Sequence, residues 1–90
     1  MSQTMTSVGN NSFSLEIKRY YMLRNGWEYF VTELPDEDGI GEALVEGFEQ
    51  EVGGFSLDEI KPHIMMVVEA DKLTDLAPAN GFVWGSKNEV

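Results

Sequence analysis

The sequence predicts a small α+β fold, an antiparallel sheet of four or five strands with one or two short helices against it. Three observations carry that expectation. Asn25-Gly26 stands between Tyr20-Tyr21-Met22-Leu23 and Trp27-Glu28-Tyr29-Phe30-Val31-Thr32. Asn-Gly between aromatic and β-branched runs signals a hairpin, because both residues tolerate the positive φ of a type I′ turn. Phe13, Leu15 and Ile17 alternate with Ser14, Glu16 and Lys18, the period of a half-buried strand. Ser56-Leu57-Asp58-Glu59 has the spacing of a capping box, and Pro62 follows. That pattern predicts a short helix over residues 57–61.

Taken in order, residues 1–12 are rich in Ser, Thr, Asn and Gln and read as a disordered lead-in. Residues 13–85 form a single domain in this reading, and residues 86–90 fray. Phe13, Ile17, Tyr20 and Tyr21 also fit a helix starting at Ser12, but the Asn-Gly signal favours strands. Residues 18–23 then pair with residues 27–34, with Trp27, Tyr29 and Val31 on the core face. Pro35-Asp36-Glu37-Asp38-Gly39 breaks the sheet, since each of these residue types favours turns. Residues 42–48 and 52–56 make the next two strands, joined by Glu49-Gln50-Glu51. Leu44, Val45, Phe48, Val52, Phe55, Leu57 and Ile60 supply apolar atoms here. Ile64-Met65-Met66-Val67-Val68 suits a strand covered on both faces. Residues 71–76 form one helical turn closed by Pro78, and Phe82-Val83-Trp84 docks as a last extended piece.

Composition bounds the function. A chain of 90 residues makes one domain with a thin core, since it buries only a little over roughly 60% of its unfolded surface. There is no cysteine, so disulfides and cysteine-based zinc sites are excluded. The first residues resemble no secretory signal. The longest apolar run, residues 64–68, falls far short of the roughly 20 residues of a membrane span. These features lead us to expect a soluble, cytoplasmic protein.

Charge is the strongest global signal. Sixteen Asp and Glu stand against six Lys and Arg, a formal net charge of −10. Between Arg24 and Lys61 there is no cation, while eleven carboxylates occur. A surface of that kind repels nucleic acid and anionic membranes and attracts basic protein surfaces. The alternative role for the charge is solubility alone.

Chemistry-bearing constellations are sparse. His63 is the one histidine, with no Cys, Ser or second His placed to form a nucleophile–base pair. Asp36-Glu37-Asp38-Gly39 hints at a calcium loop, yet it lacks the third oxygen ligand before the Gly and the Glu at position 12. Gly53-Gly54 lacks the Lys-Ser/Thr of a phosphate-binding loop. Trp27 and Trp84 could stack on a base, but the charge opposes approach to phosphate, so they read as core aromatics. Met65-Met66 reads as core filling.

Leu44-Val45, Gly47-Phe48-Glu49, Glu51, Gly53, Phe55-Ser56-Leu57 and Glu59 fall without a gap on a run of the form G-L-V-x-G-F-E-x-E-L-G-x-F-S-L-x-E-L. The segment resembles a family of unknown function found in small proteins of bacteria, plasmids and phages. Asn25, Trp27, Tyr29, Thr32 and Glu33 resemble that family's N-W-x-W-Y-A-T-E, with Gly26 as one extra residue, and residues 73–76 resemble its closing P-L-S-E-L. Gly54 departs from the pattern, where an aromatic is usual. The resemblance implies a mobile-element or phage setting and carries no catalytic residues.

These readings converge on an expectation. The chain is a non-enzymatic, cofactor-free, acidic binding protein that docks on a basic, nucleic-acid-binding surface of a host protein and inhibits it. Asp36, Glu37, Asp38, Glu49 and Glu51 are the expected contacts, because two loops would place them outside the packed faces. Direct nucleic-acid and membrane binding are not expected. The alternative is a housekeeping scaffold module, a homodimer through sheet edges or residues 64–68, whose charge serves solubility only.

Overall fold

The computed structural model describes residues 1–9 and 12–85; the expected fraying of residues 86–90 lies outside them. The elements follow in the order β1 (Gln3–Ser7), β2 (Ser14–Ile17), β3 (Arg19–Leu23), β4 (Glu28–Glu33), β5 (Ile40–Glu46), β6 (Gln50–Ser56), α1 (Leu57–Ile60), β7 (Ile64–Glu69) and β8 (Phe82–Trp84). Turns of 3-10 helix at Lys61–His63 and Ala70–Asp75 flank β7. The fold is α+β, as expected, but built on two antiparallel sheets, of five and three strands, where one sheet of four or five was expected. One has the order β6-β5-β4-β3-β7 and the other β2-β1-β8. The chain changes sheets at Lys18, whose N–H donates to the Val31 carbonyl at 2.7 Å. A strand that crosses from one sheet to the next makes such a corner.

The large sheet is covered on both faces. Tyr20, Phe30 and Leu44 lie in one cross-strand row and pack with Met5, Ile17, Leu73 and Phe82 beneath the small sheet. The Tyr20 and Phe30 rings meet edge to face at 5.1 Å. Alternation turns Tyr21, Tyr29, Val31, Ala43 and Phe55 the other way, against Ile60 of α1. β4 therefore has no solvent face over Tyr29–Val31, and the expectation of a single core face on that strand is corrected.

The disordered lead-in is corrected over Gln3–Ser7, while residues 10 and 11 of it lie outside the described residues. β1 is the central strand of the small sheet, paired with β2 from Gln3↔Ile17 to Thr6↔Ser14 and with β8 from Met5↔Trp84 to Ser7↔Phe82. Its polar composition does not prevent this, because the hydroxyls satisfy one another along the ladder. Thr6 Oγ1 and Ser14 Oγ are 2.8 Å apart, and Ser7 Oγ accepts the Phe13 N–H at 2.9 Å. Met5 supplies the buried apolar anchor.

Four local expectations change for stated reasons. The β3–β4 hairpin forms, but Gly26 alone has a positive φ there (91°). The Gly26 N–H bonds to the Leu23 carbonyl at 2.9 Å, so the connection is a three-residue turn closed by a glycine bulge, not a two-residue type I′ turn. Ser56 precedes α1 but makes no side-chain capping bond; the Leu57 N–H instead donates to the Gly39 carbonyl at 2.8 Å, tying the helix start to the β4–β5 loop. β7 lies at a sheet edge, so Met65 and Val67 are exposed and the strand is not covered on both sides. β6 starts at Gln50, so the hairpin tip is residues 47–49 and Phe48 stands 95% exposed outside the core. Val52, also expected to supply core atoms, is exposed on the β6 edge strand.

Candidate functional site

A cleft of about 370 Å³ opens on the α1-bearing face at the β6 edge. Strand alternation builds it. Tyr29 of β4, Val45 of β5 and Trp27 just before β4 lie on the same side as Phe55 of β6, and Ile60 of α1 closes the far wall. Tyr29 and Phe55 meet edge to face at 5.6 Å, and Trp27 meets Phe48 of the hairpin tip at 5.3 Å. Two glycines permit these approaches. A Cβ on Gly47 would lie 2.8 Å from the Trp27 ring, and one on Gly41 would lie 2.5 Å from the Glu33 carbonyl and 2.9 Å from the Phe55 ring. Gly53, between Glu51 and Phe55 on the same face, has the opposite property. A Cβ there would meet nothing within 4 Å, so the missing side chain leaves the cleft open toward the sheet edge.

The lining carries two carboxylates, Glu51 and Glu59, and no cation. Burial pushes the Tyr29 hydroxyl above the usual phenol range, and the nearby Glu59 carboxylate adds to the shift. The hydroxyl is therefore a neutral donor at pH 7. Aromatic faces with carboxylates at the rim attract a cation both through the ring quadrupole and through direct charge.

The five carboxylates expected from sequence are not brought together. All are exposed, but Asp36, Glu37 and Asp38 sit in the β4–β5 loop at one end of β5, and Glu49 and Glu51 lie at the other end. β5 has seven residues; at about 3.4 Å per step its ends are roughly 20 Å apart. Asp36 is further occupied by its own turn, its Oδ1 accepting the N–H groups of Asp38 at 2.9 Å and Ile40 at 3.0 Å. Asp58 of α1 faces this loop across a second recess, which also holds Arg19. Glu51 lines the aromatic cleft, whereas Glu49 lines neither recess.

Glu59, Trp27, Tyr29 and Phe55 were absent from the expected site. The signal for Glu59 was its position four residues past Phe55 on a short helix laid against the same face, which needs the β6–α1 geometry to read. Among the described residues the ion pairs are Lys18 with Glu33 at 3.9 Å and Arg19 with Glu69 at 3.1 Å. Both cleft carboxylates are free of them. No helix among the described residues is long and apolar enough to cross a membrane, and no cluster of three or more His, Asp or Glu there could hold a metal ion. No family model, curated protein or solved structure matches the chain.

Proposed function

We propose that the chain is a non-enzymatic acidic binding protein that docks on a basic protein surface. The observation that carries this reading is the cation-free cleft in which Trp27, Tyr29 and Phe55 stand beside Glu51 and Glu59. Exposed Phe48 extends the same aromatic surface past Trp27. A basic partner gains Coulomb attraction over the approach and apolar contact at the end of it. In the mobile-element setting that the sequence resemblance implies, the partner would be a host nucleic-acid-binding protein, inhibited when its basic groove is filled. The roughly 20 Å separation of the two loop clusters favours contact through the cleft over a continuous row of phosphate mimics.

Affinity capture on the immobilised chain, eluted with a salt gradient, tests this. Basic proteins should be retained and released between roughly 0.05 and 0.3 M salt, as the Debye length shortens. The double variant Glu51→Lys, Glu59→Lys should lose them. Retention that ignores both salt and charge reversal refutes the reading. A second reading, a homodimeric scaffold, is favoured by exposed Met65 and Val67 on the β7 edge; light scattering at the dimer mass would support it.

A further inference from the structure

We infer that β6 accepts an extended partner segment as a sixth strand of the large sheet, with an arginine of that segment seated in the Trp27–Tyr29–Phe55 cleft. The inference rests on the binding reading above and adds the partner's conformation and the side chain recognised.

β6 pairs only with β5 among the described residues, so half of its backbone N–H and C=O groups face outward, a template for another strand. The outer edge carries neither the lysine nor the proline that commonly blocks such pairing. Along the cleft face β6 presents Glu51, Gly53 and Phe55 in succession. A residue paired opposite Gly53 turns its side chain to that same face and meets no side chain there. Its diagonal neighbours are then Glu51 and Phe55, a carboxylate on one side and an aromatic ring on the other. The cleft of about 370 Å³ lies at the small end of ligand pockets, roughly 300–1,000 Å³, a size for one side chain. Flat ring walls with two carboxylates suit a planar guanidinium, which stacks and bonds in a fork, better than a compact ammonium. The other free edge suits a basic segment less, since the recess beside β7 is lined by Arg19 and Lys61 and its one carboxylate, Glu69, is already paired with Arg19.

Gly53 gives a clean test. Its backbone is not in the left-handed region and a Cβ fits without contact, so Gly53→Val should fold while filling the cleft. Gly54 alternates to the opposite face, where a Cβ would meet the Gly41 carbonyl at an ordinary 3.6 Å, so Gly54→Val is the control. The probe is the end-blocked peptide Thr-Val-Arg-Val-Thr, with versions carrying Lys or Glu at the centre, titrated into the full chain and followed by NMR. The expected result is shifted Trp27 indole and Val52–Phe55 amide signals, slowed amide exchange along β6, and binding in the order Arg, Lys, Glu. Gly53→Val should weaken the Arg peptide by about tenfold or more, with Gly54→Val unchanged. Binding that survives Gly53→Val but is lost in Glu51→Gln, Glu59→Gln overturns the strand-and-cleft mode and leaves the basic-surface reading standing. Equal binding of the Glu peptide overturns both. Absence of any peptide-induced protection of β6 overturns the inference.

Discussion

Replacing Met5 by Ala puts the N-terminal strand to a quantitative test. Met5 is fully buried between Ile17, Tyr20, Phe30 and Phe82, and its Sδ accepts the Ala79 N–H at 3.5 Å. Truncating a buried methionine to alanine costs about 2–5 kcal/mol. Leaving the Ala79 N–H without its acceptor adds about 1 kcal/mol. A domain of this length has about 5–13 kcal/mol in all, at roughly 0.05–0.15 kcal/mol per residue. Met5→Ala should therefore remove about 3–6 kcal/mol, a large share of the total. With a urea m-value near the middle of the range of about 1–3 kcal/mol per molar, the midpoint should fall by roughly 1.5–3 M. Val8→Ala, at an exposed position just past the strand, should stay within about 0.5 kcal/mol of the parent. Urea denaturation followed by Trp fluorescence reads both. A Met5→Ala loss below about 0.5 kcal/mol, together with an unchanged transition on deleting residues 1–9, would show that β1 adds nothing to the core.

Three further outcomes can be measured on the same scale. Burial, and secondarily the hydrogen bond to Glu28, raises the Tyr20 hydroxyl well above its ordinary value of 10. The unfolded chain then ionises first, so stability should fall with a slope of up to about 1.4 kcal/mol per pH unit above pH 10, and Tyr20→Phe should flatten that slope. Gly47→Ala forces the hairpin tip and the Trp27 ring apart and should cost about 1–3 kcal/mol, whereas Gly53→Ala should be neutral or stabilising by up to about 1 kcal/mol; thermal melts compare them. Ser56→Ala should cost less than about 0.5 kcal/mol in place of the usual cost near 1 kcal/mol, because Ser56 makes no capping bond.

Much of the large sheet could be read from residues that carry local signals. Asn25-Gly26 and the Pro35–Gly39 turn each fix a neighbour in sequence, and the strands follow; the period of Phe13, Leu15 and Ile17 does the same for β2 of the small sheet. What escaped depends on partners far along the chain. β1 is polar in composition, and its place becomes legible only once β8 lies beside it. Residues 64–68 are apolar throughout, which fits a central strand as well as an edge one; strand order decides, and no local pattern encodes it. Phe48 and Val52 read as core because hydrophobicity says nothing of which loop tip or edge they occupy. The cleft was illegible for the same reason, since Trp27, Phe55 and Glu59 meet through the β4–β5–β6 register and the crossing of α1. Among the expected contacts only Glu51 falls on it, by virtue of sharing a sheet face with Phe55.

The layout of charge bears on the proposed binding surface on energetic grounds. In the β4–β5 register Glu28 stands directly opposite Glu46, and Glu33 opposite Glu42. Like charges placed so are destabilising, at roughly 0.2–1 kcal/mol a pair. Solubility does not require that cost, because the same carboxylates on loops would serve it. The fold offsets part of the cost with neutral donors. The Tyr20 hydroxyl donates to Glu28 at 2.5 Å, and the Gln50 side-chain amide donates to Glu46 and, at 2.7 Å, to the Asn80 carbonyl. Two internal pairs use Lys18 and Arg19 on Glu33 and Glu69, while Glu51 and Glu59 at the cleft receive no cation from the described chain. A charge that folding leaves uncompensated beside aromatic walls is stabilised most by a cation supplied from outside, and the free β6 edge is where an extended segment could bring one.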